Sequence, residues 1–153
     1  MKVLFDTNIV LDVLLDREPF STPAALLFSM VERGDITGCL CATTITTIHY
    51  LAAKVLGARR AREHIGSLLT LFEVASVNRA VLEKALQAGF TDFEDAVIHE
   101  AALHAGANGL ISRNPGDFKG ARIPVYSSEE LLKALTLNPP EIKSRPTEDK
   151  EQA

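Results

Sequence analysis

Four aspartates, Asp6, Asp92, Asp95 and Asp117, stand where a fold could gather them for chemistry. Asp6 closes the apolar run Val3-Leu-Phe5, and Asn114 and Asp117 follow a second apolar run, Gly109 to Ser112. Asp92 and Asp95 are three apart at a predicted helix start, so both lie on one face of its first turn, where the helix dipole favours negative charge. Placing Asp6 beside them is costly, because like charges raise each other's pKa, and a divalent cation removes the repulsion. Mg²⁺ and Mn²⁺ prefer carboxylate oxygen and water as ligands, and they both activate water and neutralise a transferring phosphoryl group. Asp6 and Asp92 are also good helix N-caps, so it is the combination at predicted strand ends, not either residue alone, that points to a metal site.

Other chemistries lose support. His99 and His104 in His99-Glu-Ala-Ala-Leu-His104 are five apart, whereas the zinc-protease motif needs four, a position held by Leu103. His99, His104 and His64 therefore read as helix-surface or partly buried groups. No GxGxxG or GxxxxGK[ST] phosphate cradle occurs. Cys39 and Cys41 are the only cysteines, too few for a structural zinc site, and read as reduced core residues. With 16 Lys and Arg against 20 Asp and Glu, the net charge of −4 argues against gripping nucleic acid by charge alone. Lys54, Arg59, Arg60 and Arg62 form a short basic stretch that reads as a solvated face.

The acids must be held by alternating strands and helices. Strands are expected at residues 3–5, 37–42, 72–75, 109–112 and 124–126. Between them, apolar periodicity predicts helices, including 23–31, 43–56, 58–71, one capped by Asn78 and ending near Gly89, and one over 96–105. Ser127-Ser-Glu-Glu130 has the spacing of a capping box. Such alternation implies right-handed crossovers and a mainly parallel sheet of about five strands, in a three-layer α/β/α domain over 1–137. Ligands of such sheets bind beyond the carboxyl ends of strands, where Asp6, Asn114 and Asp117 fall. Residues 138–153, rich in proline and charge, are expected to be a disordered tail. Neither a signal peptide nor a membrane-spanning run is present, which predicts a cytoplasmic protein.

Three stretches, Val3-Leu-Phe-Asp-Thr-Asn-Ile9, Asp92-Phe-Glu-Asp-Ala-Val97 and Gly109-Leu-Ile-Ser-Arg-Asn-Pro-Gly-Asp-Phe118 followed by Ile123-Pro-Val125, resemble the PIN-domain family. The resemblance covers about residues 2 to 135. It implies the fold of small prokaryotic ribonucleases, including VapC-like toxins of toxin-antitoxin pairs: an RNA substrate, Mg²⁺ or Mn²⁺ as cofactor, an antitoxin partner and a homodimer. It assigns Asp6, Asp92, Asp95 and Asp117 as metal-binding catalytic residues and places Ser112 in the family's Thr/Ser-Arg-Asp/Asn segment; Asn8, Ser112 and Asn114 are then expected to orient substrate or water. Two departures stand out. His49 falls where the family commonly has a Glu, and Asn114 where many members have a further Asp. The alternative expectation is therefore a catalytically degenerate PIN module that binds RNA or a protein through the same surface.

Overall fold

The computed structural model describes residues 1–137; the tail expected over 138–153 lies outside the described residues. Strand β1 (Lys2–Phe5) leads into helices α1 (Thr7–Leu14) and α2 (Ser21–Arg33), β2 (Thr37–Cys41) into α3 (Ala42–Leu56) and α4 (Ala58–Leu71), and β3 (Glu73–Ala75) into α5 (Arg79–Gln87) and α6 (Phe93–His104). Strand β4 (Gly109–Ile111), a 3-10 turn (Pro115–Phe118), β5 (Val125–Tyr126) and α7 (Ser128–Leu137) follow. All strands pair in parallel, in the order β3-β2-β1-β4-β5.

Strand β1 is central, and a strand covered on both faces needs a continuous apolar run rather than alternation. Val3, Leu4 and Phe5 supply it and are fully buried. Val3 and Phe5 face one core with Ile9 of α1, Leu27 of α2, Ile48 of α3, Leu68 of α4 and Leu131 of α7. Leu4, Cys39 and Cys41 face the other with Val81 and Ala85 of α5 and Val97, Ile98 and Ala101 of α6. Helices on both faces make the three-layer α/β/α arrangement expected from the sequence. Both cysteines are free and buried, and burial pushes the Cys39 thiol up to about 11, which keeps it protonated.

Edge-to-face contacts among Phe5, Phe28 and Phe72, with centroids 5.0–5.7 Å apart, fill the first core. Gly38 makes room for them: a Cβ there would lie 2.5 Å from the Phe72 ring. Local signals are also in place. The Asn78 side chain accepts from Val81 N–H at 3.0 Å to cap α5. Ser127 and Glu130 exchange hydrogen bonds of 3.1 and 3.3 Å as the capping box requires.

Two expectations need correction. Helix α6 begins at Phe93, three residues before the predicted Ala96, because Asp92 caps it and Phe93 and Glu94 form its first turn. His99 is not a surface or partly buried group; it is 1% exposed. Ala96 to Ala102 are all buried, so this stretch of α6 is covered on nearly every side, with His99 and Glu100 reaching only the wall of a cavity.

Candidate active site

The strand order reverses beside β1: its chain neighbour β2 lies on one side and β4 on the other. At such a switch point the crossovers diverge and leave a crevice beyond the strand ends. Asp6 follows β1 there, and its N–H donates to Ile111 O at 2.9 Å, continuing the ladder one residue past the strand. Ser112 follows β4 likewise, donating from its N–H to Tyr126 O at 2.9 Å.

These two residues meet. The Ser112 hydroxyl donates to Asp6 Oδ2 at 3.1 Å, and Thr7 N–H donates to Asp6 Oδ1 at 2.7 Å. Ser112 Oγ in turn accepts from Asn114 N–H at 3.2 Å, which fixes the hydroxyl. Asp92 caps α6 by accepting from Asp95 N–H at 3.0 Å, so the cap sets the helix start that presents Asp95. Asp117 stands on the 3-10 turn, tied back by its N–H to Asn114 O at 3.0 Å and anchored by buried Phe118.

A cleft of about 480 Å³ is lined by Asp92, Asp95 and Asp117 with Phe90, Thr91 and Lys119. Asp6 does not line it, but its charge reaches it. Asp95 is pushed up to about 7, first by burial, then by the charges of Asp92, Asp6, Asp117 and Glu94. Asp6 is raised as well: burial is the largest cause, the Thr7 and Ser112 hydrogen bonds oppose it, and Glu94 and Asp117 add to it. Mutual repulsion of this kind is what converging carboxylates produce.

The four sequence-selected aspartates therefore share one electrostatic neighbourhood. Glu94 belongs to it too and went unread in the sequence, although it lies between Asp92 and Asp95. Hard carboxylate oxygens suit Mg²⁺ or Mn²⁺. As placed, no three Asp, Glu, His or Cys side chains among the described residues gather closely enough to enclose an ion, so the acids form an open rim rather than a closed cage.

Other expectations are placed less centrally. Asn8 is exposed, and its recorded partner is Arg17, whose guanidinium reaches the Asn8 carbonyl at 3.4 Å. Asn114 is exposed and acts through its backbone. His49 lines a separate groove between α3 and α4 with Ile45, Thr46, Ala58, Arg62 and Ile65, and shares no lining residue with the acidic cleft. Lys54, Arg59, Arg60 and Arg62 are exposed, and Arg62 lines the His49 groove rather than the acidic cleft.

Sequence reasoning also passed over Asp12. It is fully buried on α1 and accepts from Arg17 Nε at 3.0 Å and Arg113 Nε at 3.3 Å, with a further bond from the Arg113 guanidinium to its Oδ1. Arg113 sits between Ser112 and Asn114, and it also packs on the Phe20 ring, 4.1 Å from its centroid. Asp12 thus steadies the segment that carries Ser112. A signal existed: Asp12 is three residues after Ile9, inside the apolar stripe of its own helix, where a charge must be paired.

The sequence profile of the PIN domain matches residues 2–115. The chain belongs to the PIN-domain family. Ribonuclease VapC1 of Aquifex aeolicus (strain VF5) is 25% identical over 143 residues, spanning 85% of this chain and 92% of that protein. VapBC2 from Rickettsia felis, solved bound to a DNA fragment from its promoter, superposes with a TM-score of 0.61 at 14% identity, over 83% of this chain and 98% of that one. VapBC-1 from nontypeable Haemophilus influenzae gives 0.61 at 16% over 84% and 99%, and FitAcB from Neisseria gonorrhoeae 0.58 at 17% over 83% and 98%. At these identities the structural likeness concerns the fold, and it extends the PIN architecture across the described domain. No helix among the described residues is long and apolar enough to cross a membrane.

Proposed function

We propose that this PIN-domain chain is a divalent-metal-dependent endoribonuclease, the toxin of a toxin-antitoxin pair, acting in the cytoplasm. The observation that carries the reading is that Asp92, Asp95 and Asp117 line one cleft, with Asp6 at the adjoining strand end close enough that its charge, with those of Asp92, Asp117 and Glu94, raises Asp95. Clustered acids repel the phosphates of RNA unless a cation lies between them. Asp6, Asp92, Asp95 and Asp117 would hold Mg²⁺ or Mn²⁺, which when bound activates water and neutralises charge on the phosphoryl group. Ser112 keeps Asp6 oriented and favours its ionised form. Asn8 and Asn114 would orient substrate or water, and Lys119 at the cleft wall would meet a phosphate oxygen.

The ribonuclease name of the Aquifex aeolicus relative supports an RNA substrate, and the VapBC and FitAcB structures support an antitoxin partner. A homodimer accords with the family. Cleavage of a mixed RNA pool by purified protein is expected with Mg²⁺ or Mn²⁺, lost on adding EDTA and lost in Asp6→Asn. Wild-type turnover by Asp6→Asn, with contaminants excluded, sinks the assignment.

Two features favour a second reading, a PIN module that binds RNA or a protein without cutting: among the described residues the acids do not close around a single point, and Asn114 stands where the family resemblance expects a further acid. Calorimetric titration with Mn²⁺ separates the two. The enzyme shows one specific binding event that Asp6→Asn and Asp95→Asn both remove, whereas the binding module shows none.

A further inference from the structure

Beside the acidic cleft lies a second cavity of about 400 Å³, lined by Lys84, Phe90, His99, Glu100 and Arg122 among others, and sharing Gly89 and Phe90 as a common wall with the cleft. Its volume is in the range of pockets that take small ligands, about 300–1,000 Å³. The metal-site reading uses none of its polar groups, and they are unusual for a structural role.

Glu100 is a charged group only 4% exposed. Its recorded hydrogen-bond donor is the Arg122 guanidinium, at 2.8 Å from Oε1, and that arginine's side chain is 65% exposed. His99 Nε2 accepts from Arg122 N–H at 3.0 Å, which assigns the ring proton to Nδ1. Burial, the largest influence, lowers the His99 pKa and keeps the ring neutral. His99 Nδ1 then lies 3.4 Å from Glu100 Oε1, close enough for the carboxylate to act on the ring but too long and poorly aligned for a good hydrogen bond, and it is buried. A buried donor with only this weak contact, beside a carboxylate held by one exposed guanidinium, is under-satisfied, and a ligand that pairs with both groups would complete the set.

We propose that this cavity is a base-binding subsite of the RNA site and takes a guanine next to the scissile phosphodiester. The inference rests on the ribonuclease reading above. A carboxylate beside a neutral N–H donor complements guanine, whose edge offers O6 to the donor and two adjacent N–H groups to the carboxylate. Uracil turns a second carbonyl toward the carboxylate, and adenine and cytosine offer it a single amino group. Phe90, whose ring packs 4.9 Å from that of His99, supplies an aromatic wall against which an unstacked base lies. Lys84 and Arg122 at the rim meet the flanking phosphates, and Arg122 can leave Glu100 for a phosphate as the base enters.

The test is a ¹⁵N NMR titration of the full chain in EDTA with GMP, IMP, AMP, CMP and UMP. GMP is expected to bind about tenfold or more tightly than AMP, CMP or UMP, with shifts at Phe90, His99 and Arg122, and IMP, which lacks the 2-amino group, roughly fivefold more weakly than GMP. Glu100→Gln, nearly isosteric, is expected to erase the preference. Should that variant fail to fold, the GMP-to-IMP ratio on wild-type protein still decides. Equal binding of all five nucleotides, full competition by equimolar inorganic phosphate, or a preference retained in folded Glu100→Gln overturns the subsite. Because binding is read without metal or turnover, a protein that cuts no RNA still reports on the subsite, and RNA cleavage without a guanine preference removes the subsite alone.

Discussion

Each oxygen of the Asp6 carboxylate has its own donor, Thr7 N–H on one side and the Ser112 hydroxyl on the other, and still its pKa is raised, because burial outweighs both. Removing the hydroxyl therefore tips Asp6 further toward its protonated, non-ligating form. Ser112→Ala is expected to weaken Mn²⁺ affinity or RNA cleavage by roughly 10- to 100-fold, the usual cost of losing a group that orients a ligand, while the fold survives. Mn²⁺ calorimetry checks it, and unchanged affinity together with unchanged cleavage refutes the positioning role. Asp95 allows a pH prediction whose sign is fixed. An unfolded aspartate titrates near 3.9 and folded Asp95 at about 7, so between these values the folded state holds more protons and stability falls as pH rises. Thermal melts in EDTA should show this loss between about pH 4 and 7, and Asp95→Asn should flatten it. The four aspartates were legible in the sequence because each adjoins a strand end or a helix start. Glu94 was not, since its contribution depends on how the first turn of α6 faces Asp6, a relation between residues far apart in the chain.

Between elements, the bond that matters most to the site is the one from α1 to the segment after β4, made by Asp12 and Arg113. Asp12 is fully buried, whereas the side chains of Arg17 and Arg113 are 36% and 26% exposed. That asymmetry decides which substitution costs more. Arg113→Ala leaves Asp12 paired with Arg17, so the loss should stay below the range of about 3–5 kcal/mol typical of stranding a buried charge. Asp12→Ala strands two arginines that can still reach water, and it also opens a hole under them; a loss near the lower end of that range is expected. Urea melts of the two variants and of Asp12→Asn, which keeps the shape without the charge, measure this. Asp12→Ala as stable as wild type removes the pairing from the account. Strand positions, the parallel sheet and the caps were readable in advance because apolar runs, Asn78 and the Ser127–Glu130 box are local signals, whereas the order β3-β2-β1-β4-β5 depends on pairings between distant segments. The α6 boundary was missed because Phe93 and Glu94, both exposed, interrupt the apolar pattern although Asp92 had already started the helix. His99 was misjudged for a related reason: it is covered by Phe90, itself packed on Phe118, and by the loop holding Arg122, none of which its own helix announces.

For the molecule as a whole, the parallel sheet fixes where function can lie. Five parallel strands direct all their carboxyl ends one way, and the reversal of order beside β1 opens the crevice at the point where Asp6 and Ser112 meet. The price is a concentration of negative charge in a chain already at −4, and that charge destabilises the folded state through its own repulsion. A divalent cation that binds the folded rim and not the unfolded chain should therefore act as a stabiliser as well as a cofactor. Binding at a concentration 100 times the dissociation constant contributes about 2.7 kcal/mol. For a domain of this size, where 1 kcal/mol moves the midpoint by about 2–4 °C, the melting temperature should rise by roughly 5–10 °C in saturating Mn²⁺. The rise should be larger at pH 8 than at pH 5, because Asp95, at about 7, is protonated at the lower pH and repels nothing. It should vanish in Asp6→Asn and in Asp95→Asn; Asp95→Asn should melt at or above the wild-type temperature in EDTA, having lost a source of repulsion, whereas Asp6→Asn also gives up one of the two hydrogen bonds its carboxylate accepts. Differential scanning fluorimetry of the three proteins in Mn²⁺ and in EDTA, at pH 5 and pH 8, tests the chain of reasoning from strand order to charge to metal. A Mn²⁺ shift that persists in both variants places the ion elsewhere on the molecule, and no shift in wild type leaves the acidic rim as a binding surface without a metal.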